Sequence, residues 1–470
     1  MICVRHCISC LLLAIGLLAS GCAEHGCFCG RDSVYGDISG RFDYGAEHVE
    51  SRNHLELPNG ANLEDGLTEE EAVLLALWNN ALFQETLVDL DLAASDLVQA
   101  GLLPNPEIVY FFPATDKPFK YAIDFPLEAL WLRPIRIAAA ERESHRASQR
   151  LSQVALDLIR DTRQAYADVL VASGRVKVAE QALKLRQRIA KVAQARLDAG
   201  DASPQEASVA EIDVDLAAQD LARIKYDVGL AEERLRNLLG CGEYRQEIIV
   251  NSVAPPVAGP LDAEALAQEA VATRPDMIAA QIAVSAADAR LCLAKVSWFR
   301  VLGVLDATSG RRTGHEFSPA LRWTLPIFNT NEGAIDRAKA ELERAFRQQQ
   351  TVHDRIMLEV HQAYLRYEQA QAELQVLDAT VMPEVETGIK RAESAFREGD
   401  APYLVVLQAS RQLLDSLARR EQLHGEVRRA WAELERSVGR HIHVEMPADP
   451  NDASAVEEIG TPAKEGQAKE

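Results

Sequence analysis

Leu197-Asp198-Ala199-Gly200-Asp201-Ala202-Ser203 has a second version 199 residues further on, Phe396-Arg397-Glu398-Gly399-Asp400-Ala401-Pro402. In each, a glycine free to take the left-handed conformation that ends a helix is followed by small and polar residues suited to starting the next one. A sharp helical reversal is expected at both places, with Ser203 and Asp400 as candidate caps. Outward from these stretches more of the chain is duplicated. Gln164-Ala165-Tyr166 returns as Gln362-Ala363-Tyr364, and Pro126-Leu127 with Ile135 and Ala138 returns as Pro326-Ile327 with Ile335 and Ala338. Upstream, Ala76 and Pro104 fall opposite Ala270 and Trp298. The separation drifts from 194 in the earliest pairs to 200 at the prolines, as expected where loops absorb length differences at little cost. Two copies follow, 67–240 and 261–440, with a linker at 241–260 that holds the breakers Pro255-Pro256 and Gly259-Pro260.

Each copy reads helix, hairpin, long helix, long helix. The first helices are expected over Glu69–Gln99 and over Ala263–Ala294, the latter interrupted at Arg274-Pro275. Hairpins follow at about 105–126 and 298–326. Phe119, Tyr121, Ile123 and Phe125 alternate with Lys120, Ala122 and Asp124, and Phe317, Leu321, Trp323 and Leu325 alternate with Ser318, Ala320, Arg322 and Thr324. Apolar bulk on one face and polar groups on the other is the pattern of a strand with two different environments. Glu107–Phe112 and Trp298–Asp306 are the expected partner strands, with polar turns at 113–118 and 307–316. Long helical hairpins then occupy about 137–239 and 333–438. Leu151, Ala155, Leu158, Thr162, Ala165, Val169, Ala172, Val176, Ala179 and Leu183 step by fours and threes, a coiled-coil-like seam whose alanines allow close approach. Over 137–199 such a helix is about 95 Å long. Pro383 is expected to kink its counterpart.

The ends have a different character. Arg5 and His6 precede a short apolar run, Ile8 to Ala19, that reads as an export signal over 1–21. It closes on Leu18-Ala19-Ser20-Gly21-Cys22, which resembles a bacterial lipoprotein cleavage site with Cys22 as the lipidated residue; the other reading is an ordinary cleaved signal. Residues 23–71 carry twelve acids and three bases, and 444–470 carry seven acids and two bases. Residues 22–66 therefore read as an acidic tether and 441–470 as a disordered acidic tail. Cys27 and Cys29, beside His25, lack a recognised zinc spacing. The net charge of −21 argues against nucleic acid as a partner.

Two hairpins make four strands, whereas a membrane-spanning barrel needs eight or more with no open edge. The aromatic faces call for an apolar medium, so several chains must share one barrel. Three chains close twelve strands by cyclic symmetry. At this point the residues resemble the TolC-like outer-membrane efflux factor family over about 67–440. The resemblance rests on Gly101-Leu102-Leu103-Pro104-Asn105-Pro106, on Leu325-Pro326-Ile327-Phe328 leading to Gly333-Ala334-Ile335 and Ala338, and on Gly399-Asp400 followed by Leu407-Gln408-Ala409. It implies a homotrimer with a twelve-stranded outer-membrane barrel on a long α-helical barrel. The function implied is a passive exit duct of a tripartite efflux or type I secretion-like system, joined to a periplasmic adaptor and through it to an inner-membrane pump. Ala23 after the cysteine is compatible with outer-membrane sorting in lipoproteins of this kind.

The resemblance makes the tips the adaptor-docking and gate region, with Asp198, Gly200, Asp201, Glu398, Gly399 and Asp400 as its residues. Turn chemistry explains the same acids without a gate. Glu206, Glu211, Asp213, Asp215 and Asp415 are lumen candidates against a reading as solvated helix face. Tyr110, Phe112, Phe125 and Trp323 are expected to face lipid, with Lys120, Asp124 and Arg322 opposite them in water. No phosphate loop, nucleophile elbow or paired metal motif occurs, so neither an enzyme, a cofactor nor a resident metal is expected. His353 and His361 are two turns apart, and His441-Ile442-His443 reads as a surface pair. The competing function is a lipid-anchored periplasmic coiled-coil tether or adaptor, for which the duplicated aromatic hairpins have no evident use. The cargo, whether metal cation, drug or protein, is left open.

Overall fold

In the computed structural model the residues described are 30–42, 66–112, 119–244, 248–251, 256, 259, 261–310, 314–325 and 327–442. Cys22, Cys27, Cys29 and the segment from His443 onward lie outside them. A helix α1 (Arg31–Phe42) precedes the duplicated part. The first copy then runs α2 (Glu69–Asn79), α3 (Ala81–Gly101), β1 (Glu107–Phe111), β2 (Phe119–Pro126), α4 (Glu128–Ala199) and α5 (Pro204–Leu238). The second runs α6 (Ala263–Thr273), α7 (Pro275–Val296), β3 (Val301–Gly310), β4 (Gly314–Trp323), α8 (Glu332–Val376), a π-helical turn (Leu377–Val381), α9 (Met382–Glu398) and α10 (Tyr403–Val438).

The first helix of each copy is broken at one matching place. The single helix expected over Glu69–Gln99 is two, because Asn80 is extended and its side chain accepts from the Phe83 amide at 3.0 Å. Arg274, 194 positions on, is extended in the same way ahead of Pro275. The four strands form one antiparallel sheet in the order β1-β2-β3-β4. β2 joins β3 and so links the copies, while β1 and β4 are the sheet's edges. The second hairpin is longer than expected, its turn shorter than 307–316, because Thr308 and Glu316 still pair in the ladder. Its first strand starts at Val301 rather than Trp298.

The long helix α4 begins at Glu128, nine residues before the expected start, carries Pro134 in its second turn, and extends for 72 residues, about 108 Å. Pro383 does not produce a simple kink. It lies at the start of α9, just after the π turn. The expected alanine seam is buried from Leu151 to Ala172 and at Ala179, but Val176 and Leu183 are only half-buried, and the buried line lower down is instead Leu185, Ile189 and Ala193. Among the described residues four apolar clusters follow the rod: one around Leu77, Phe83, Tyr166 and Leu235, one around Ile356, Val360, Tyr367 and Trp431, a third near the tips around Ile189, Phe396 and Val406, and a small one at the π turn of Leu377, Met382 and Leu423. α4 and α10 cross where two glycines meet the opposite helix. A Cβ on Gly425 would overlap the Val171 side chain, and one on Gly174 would overlap Glu421.

Part of the acidic N-terminal stretch is not a tether. Val34, Tyr35, Ile38 and Phe42 of α1 are buried in the first apolar cluster. They recur at one, four and eight positions, the spacing of a helix face, and the burial of four such side chains outweighs the local acidity.

Candidate functional site

Two regions carry the chemistry, the sheet at one end of α4 and the helical tips at the other. Strand register sorts the side chains of the sheet into two faces. On one lie Tyr110, Tyr121, Ile123 and Phe125 with Leu305, Leu321 and Trp323. Phe112, one residue past β1, packs edge-on against Tyr110 with ring centroids 5.0 Å apart. Phe112 and Trp323 are largely exposed in the single chain. The opposite face carries the sheet's ion pairs. Asp124 accepts from Arg322 at 2.9 Å across the intervening β3, and Lys120 lies 3.4 Å from Asp306. Apolar side chains share this face, among them Val109, Leu302, Val304 and Phe111, whose ring has the Lys120 ammonium 5.9 Å above it.

At the far end both helical reversals use left-handed glycines, Gly200 at φ 83° and Gly399 at φ 89°. The Asp201 amide donates to Arg196 O at 2.8 Å and the Asp400 amide to Ala395 O at 2.9 Å, so the two tips share one geometry. Their exits differ. Ser203 and Glu206 form a reciprocal capping box on α5, whereas Pro402 fills the same position on α10 with no side-chain bond. Asp400 therefore does not cap its helix, because the chain enters α10 through a proline. Asp198, Asp201, Glu398 and Asp400 are all exposed, with Asp198 accepting from Gln194 at 2.9 Å and Glu398 from Ser394 at 3.0 Å.

The tips are bound to each other mainly through Arg196 and Tyr403, which sequence reasoning did not single out. The Arg196 guanidinium lies 4.8 Å over the Phe396 ring and donates to Phe396 O and Asp201 O, both at 3.3 Å. The Tyr403 hydroxyl, on the first residue of α10, donates to Asp213 of α5 at 2.5 Å. Arg186 of α4 approaches the other carboxylate oxygen at 3.4 Å. Burial and the adjacent Asp213 carboxylate push the Tyr403 hydroxyl well above the usual phenol range, so it stays a donor. Asp213 was a lumen candidate and is instead buried in this contact. The signal was present: Ala207, Ala210, Asp213 and Ala217 form the buried stripe of α5, and an acid there needs a partner.

Midway along the rod, Glu435 of α10 is fully buried and binds Arg163 of α4, His441 Nδ1 at 2.6 Å and the Ile442 amide at 3.0 Å. Burial pushes its carboxyl up, but Arg163 and His441 together hold it below the ordinary range. Cys241 is buried too, and burial pushes its thiol up to about 11, as expected of a structural cysteine.

An amphipathic sheet with two open edges, set on helices of this length and repeated twice, is the geometry expected of one share of a membrane duct. The family described as outer membrane efflux protein matches residues 120–241 and 266–440. The chain belongs to this family. Among curated proteins, it is 27% identical over 393 residues to the cobalt-zinc-cadmium resistance protein CzcC of Cupriavidus metallidurans, covering 80% of this chain and 90% of that one. With the cation efflux system protein CusC of Escherichia coli K12 it shares 24% over 296 residues, 59% of this chain and 63% of CusC. In three dimensions it superposes on CusC with a TM-score of 0.69 at 17% identity, covering 85% of this chain and 99% of that structure. The outer membrane protein VceC of Vibrio cholerae gives 0.67 at 16% identity, with 79% and 96% covered. This outer membrane efflux protein thus has the TolC-like fold, a small sheet on long helical hairpins, and the role of its family is efflux through a channel, which is not an enzymatic one.

Proposed function

We propose that three copies close a twelve-stranded barrel, β4 of one chain pairing with β1 of the next, and that the duct so formed passes divalent metal cations out of the periplasm. The sheet carries this reading. Both edges are open, one face is aromatic, the other carries the ion pairs, and no single chain satisfies those edges in lipid. Tyr110, Phe112, Phe125 and Trp323 then meet lipid, and the Asp124–Arg322 and Lys120–Asp306 pairs line the lumen. The names of the curated relatives, cobalt-zinc-cadmium resistance and cation efflux, support cations as cargo. In this assembly the units are 67–240 and 261–440, and Cys22 anchors the processed chain to the outer membrane.

The tips form the periplasmic mouth, where an adaptor docks and conveys cargo from an inner-membrane pump. Twelve carboxylates from Asp198, Asp201, Glu398 and Asp400 ring the opening in three chains and concentrate cations there. Widening the mouth separates α10 from α5, so the Tyr403–Asp213 bond must break first. The deciding experiment is to delete the gene and measure tolerance to cobalt, zinc and cadmium, then to image the detergent-extracted protein. Sensitivity to these ions together with a threefold hollow particle is expected. Unchanged tolerance with a threefold particle would redirect the cargo to drugs or proteins, and a solid monomeric rod would return the tether reading. Acyl labelling that persists in Cys22→Ser would remove the anchor.

A further inference from the structure

Above the tips, α4, α5 and α10 enclose a groove of about 580 Å³. Val178, Ala182, Leu216 and Leu414 give it an apolar lining. Its charge is unexpected in so acidic a chain: five arginines against three aspartates. Asp213 is held by Tyr403 and Arg186, and Arg223 lies 3.8 Å from Asp220. Among the described residues, Arg175 and Arg411 have no carboxylate within ion-pair distance, and both are exposed. An apolar trough with unpaired guanidinium groups fits an occupant that is apolar on one side and acidic on the other.

We propose that the occupant is the chain's own C-terminal segment, residues 452–459. This segment reads Asp-Ala-Ser-Ala-Val-Glu-Glu-Ile, with Ala453, Val456 and Ile459 three apart and Asp452, Glu457 and Glu458 as its acids. The segment offers three apolar side chains to the trough and three carboxylates to the arginines. The reach is right. From Val438 down α10 to Ala418 is about 30 Å, at 1.5 Å per residue. The ten residues after Ile442 are enough to cover that distance, reaching up to about 35 Å at full extension. Charge attracts the segment and the short tether keeps its local concentration high. Any helical partner that uses this groove must first displace it.

The test uses the chain ended after Ile442 and, separately, the full chain, both in detergent. A fluorescein-labelled peptide of residues 443–470 is titrated into each and followed by anisotropy. Saturable binding to the shortened protein is expected, at least about tenfold weaker with Arg175→Glu plus Arg411→Glu, and weaker again on raising salt from about 50 to about 500 mM. The full chain should bind little, its groove being filled. Both arginines are exposed, so these substitutions leave the fold intact, which a thermal melt checks. No binding to the shortened protein, as would follow if a second copy covered the groove, overturns the proposal. So does binding that ignores both arginines, or equal binding to the full chain.

Discussion

The two copies reach their tips by different routes. α4 runs 72 residues without interruption to Gly200, whereas the second copy strings together α8, the π turn and α9 before Gly399. Gln164-Ala165-Tyr166 and its counterpart are 198 positions apart, but the two tip glycines are 199 apart. The second copy therefore holds one extra residue between them, and a π turn is the form in which a helix takes up one residue more. It lies just before Pro383, which has no amide to give and crowds the carbonyl four residues back. There the Met382 amide donates to Leu377 O, the wider spacing. Without that turn everything below would rotate by about 100°. Ile389, Ala392 and Phe396 would leave the third apolar cluster, and Phe396 would leave Arg196.

The largest expected effect separates slack from register. Deleting exposed Arg366 from α8 turns the whole lower helix, and loss of the heat-modifiable oligomer from outer-membrane extracts is expected. Deleting Ala379 from the π turn removes the surplus residue, so the oligomer should persist with a Tm only a few degrees lower. Equal loss in both deletions would falsify the one-residue account.

Next in size is Glu435→Ala, which leaves buried Arg163 with only the more distant Glu69 carboxylate, 3.5 Å away, and should cost about 3 kcal/mol by chemical denaturation. Its pH signature follows from the lowered carboxyl. The ionised Glu435 contributes fully above its ordinary value of 4.5, and that contribution is lost as pH falls through the lower folded value. Melts from pH 7 to pH 3 should fall more steeply for the native chain than for Glu435→Gln.

The tip bond belongs to one copy only, because Pro204 stands where Tyr403 has its counterpart. Tyr403→Phe leaves buried Asp213 with Arg186 alone, a cost of about 1–3 kcal/mol. A larger single-channel conductance in planar bilayers is expected, and unchanged conductance would separate this bond from the gate. The smallest pair compares two glycines in helices of the second copy. Gly425→Ala collides with Val171 and should destabilise by about 1–3 kcal/mol. Gly388, where an added methyl meets nothing within 4 Å, should gain about 0.5–1 kcal/mol as alanine.

The duplication, the hairpins and the helical reversals were readable because each is a periodic or local signal. The alternation in 119–125 predicts the two faces of the sheet, and the glycines at 200 and 399 predict both turns. What escaped depends on contacts far apart in the chain. Asp213 reads as one more acid on a helix until Tyr403 is brought to it across the fold. The break at Asn80 was missed although Arg274-Pro275 marks the same place in the other copy, since asparagine announces a cap far less loudly than proline does. α1 was hidden by composition, its four apolar residues diluted among acids and glycines.

That first helix has a consequence for how the protein is made. The Arg41 carbonyl accepts from the His441 amide at 2.9 Å, and the Arg41 guanidinium donates to Gly439 O at 3.2 Å. The earliest described element is thus secured by the last described residues. An exported chain emerges amino end first, so α1 can pack on the first copy early while its Arg41 contacts wait for residues 439–441 to cross. Contacts of such long separation form late and slowly. The apolar face of α1 is covered by the first copy, but completion of this joint marks a chain that has crossed as far as His441, and a molecule stalled before then leaves Arg41 without these partners.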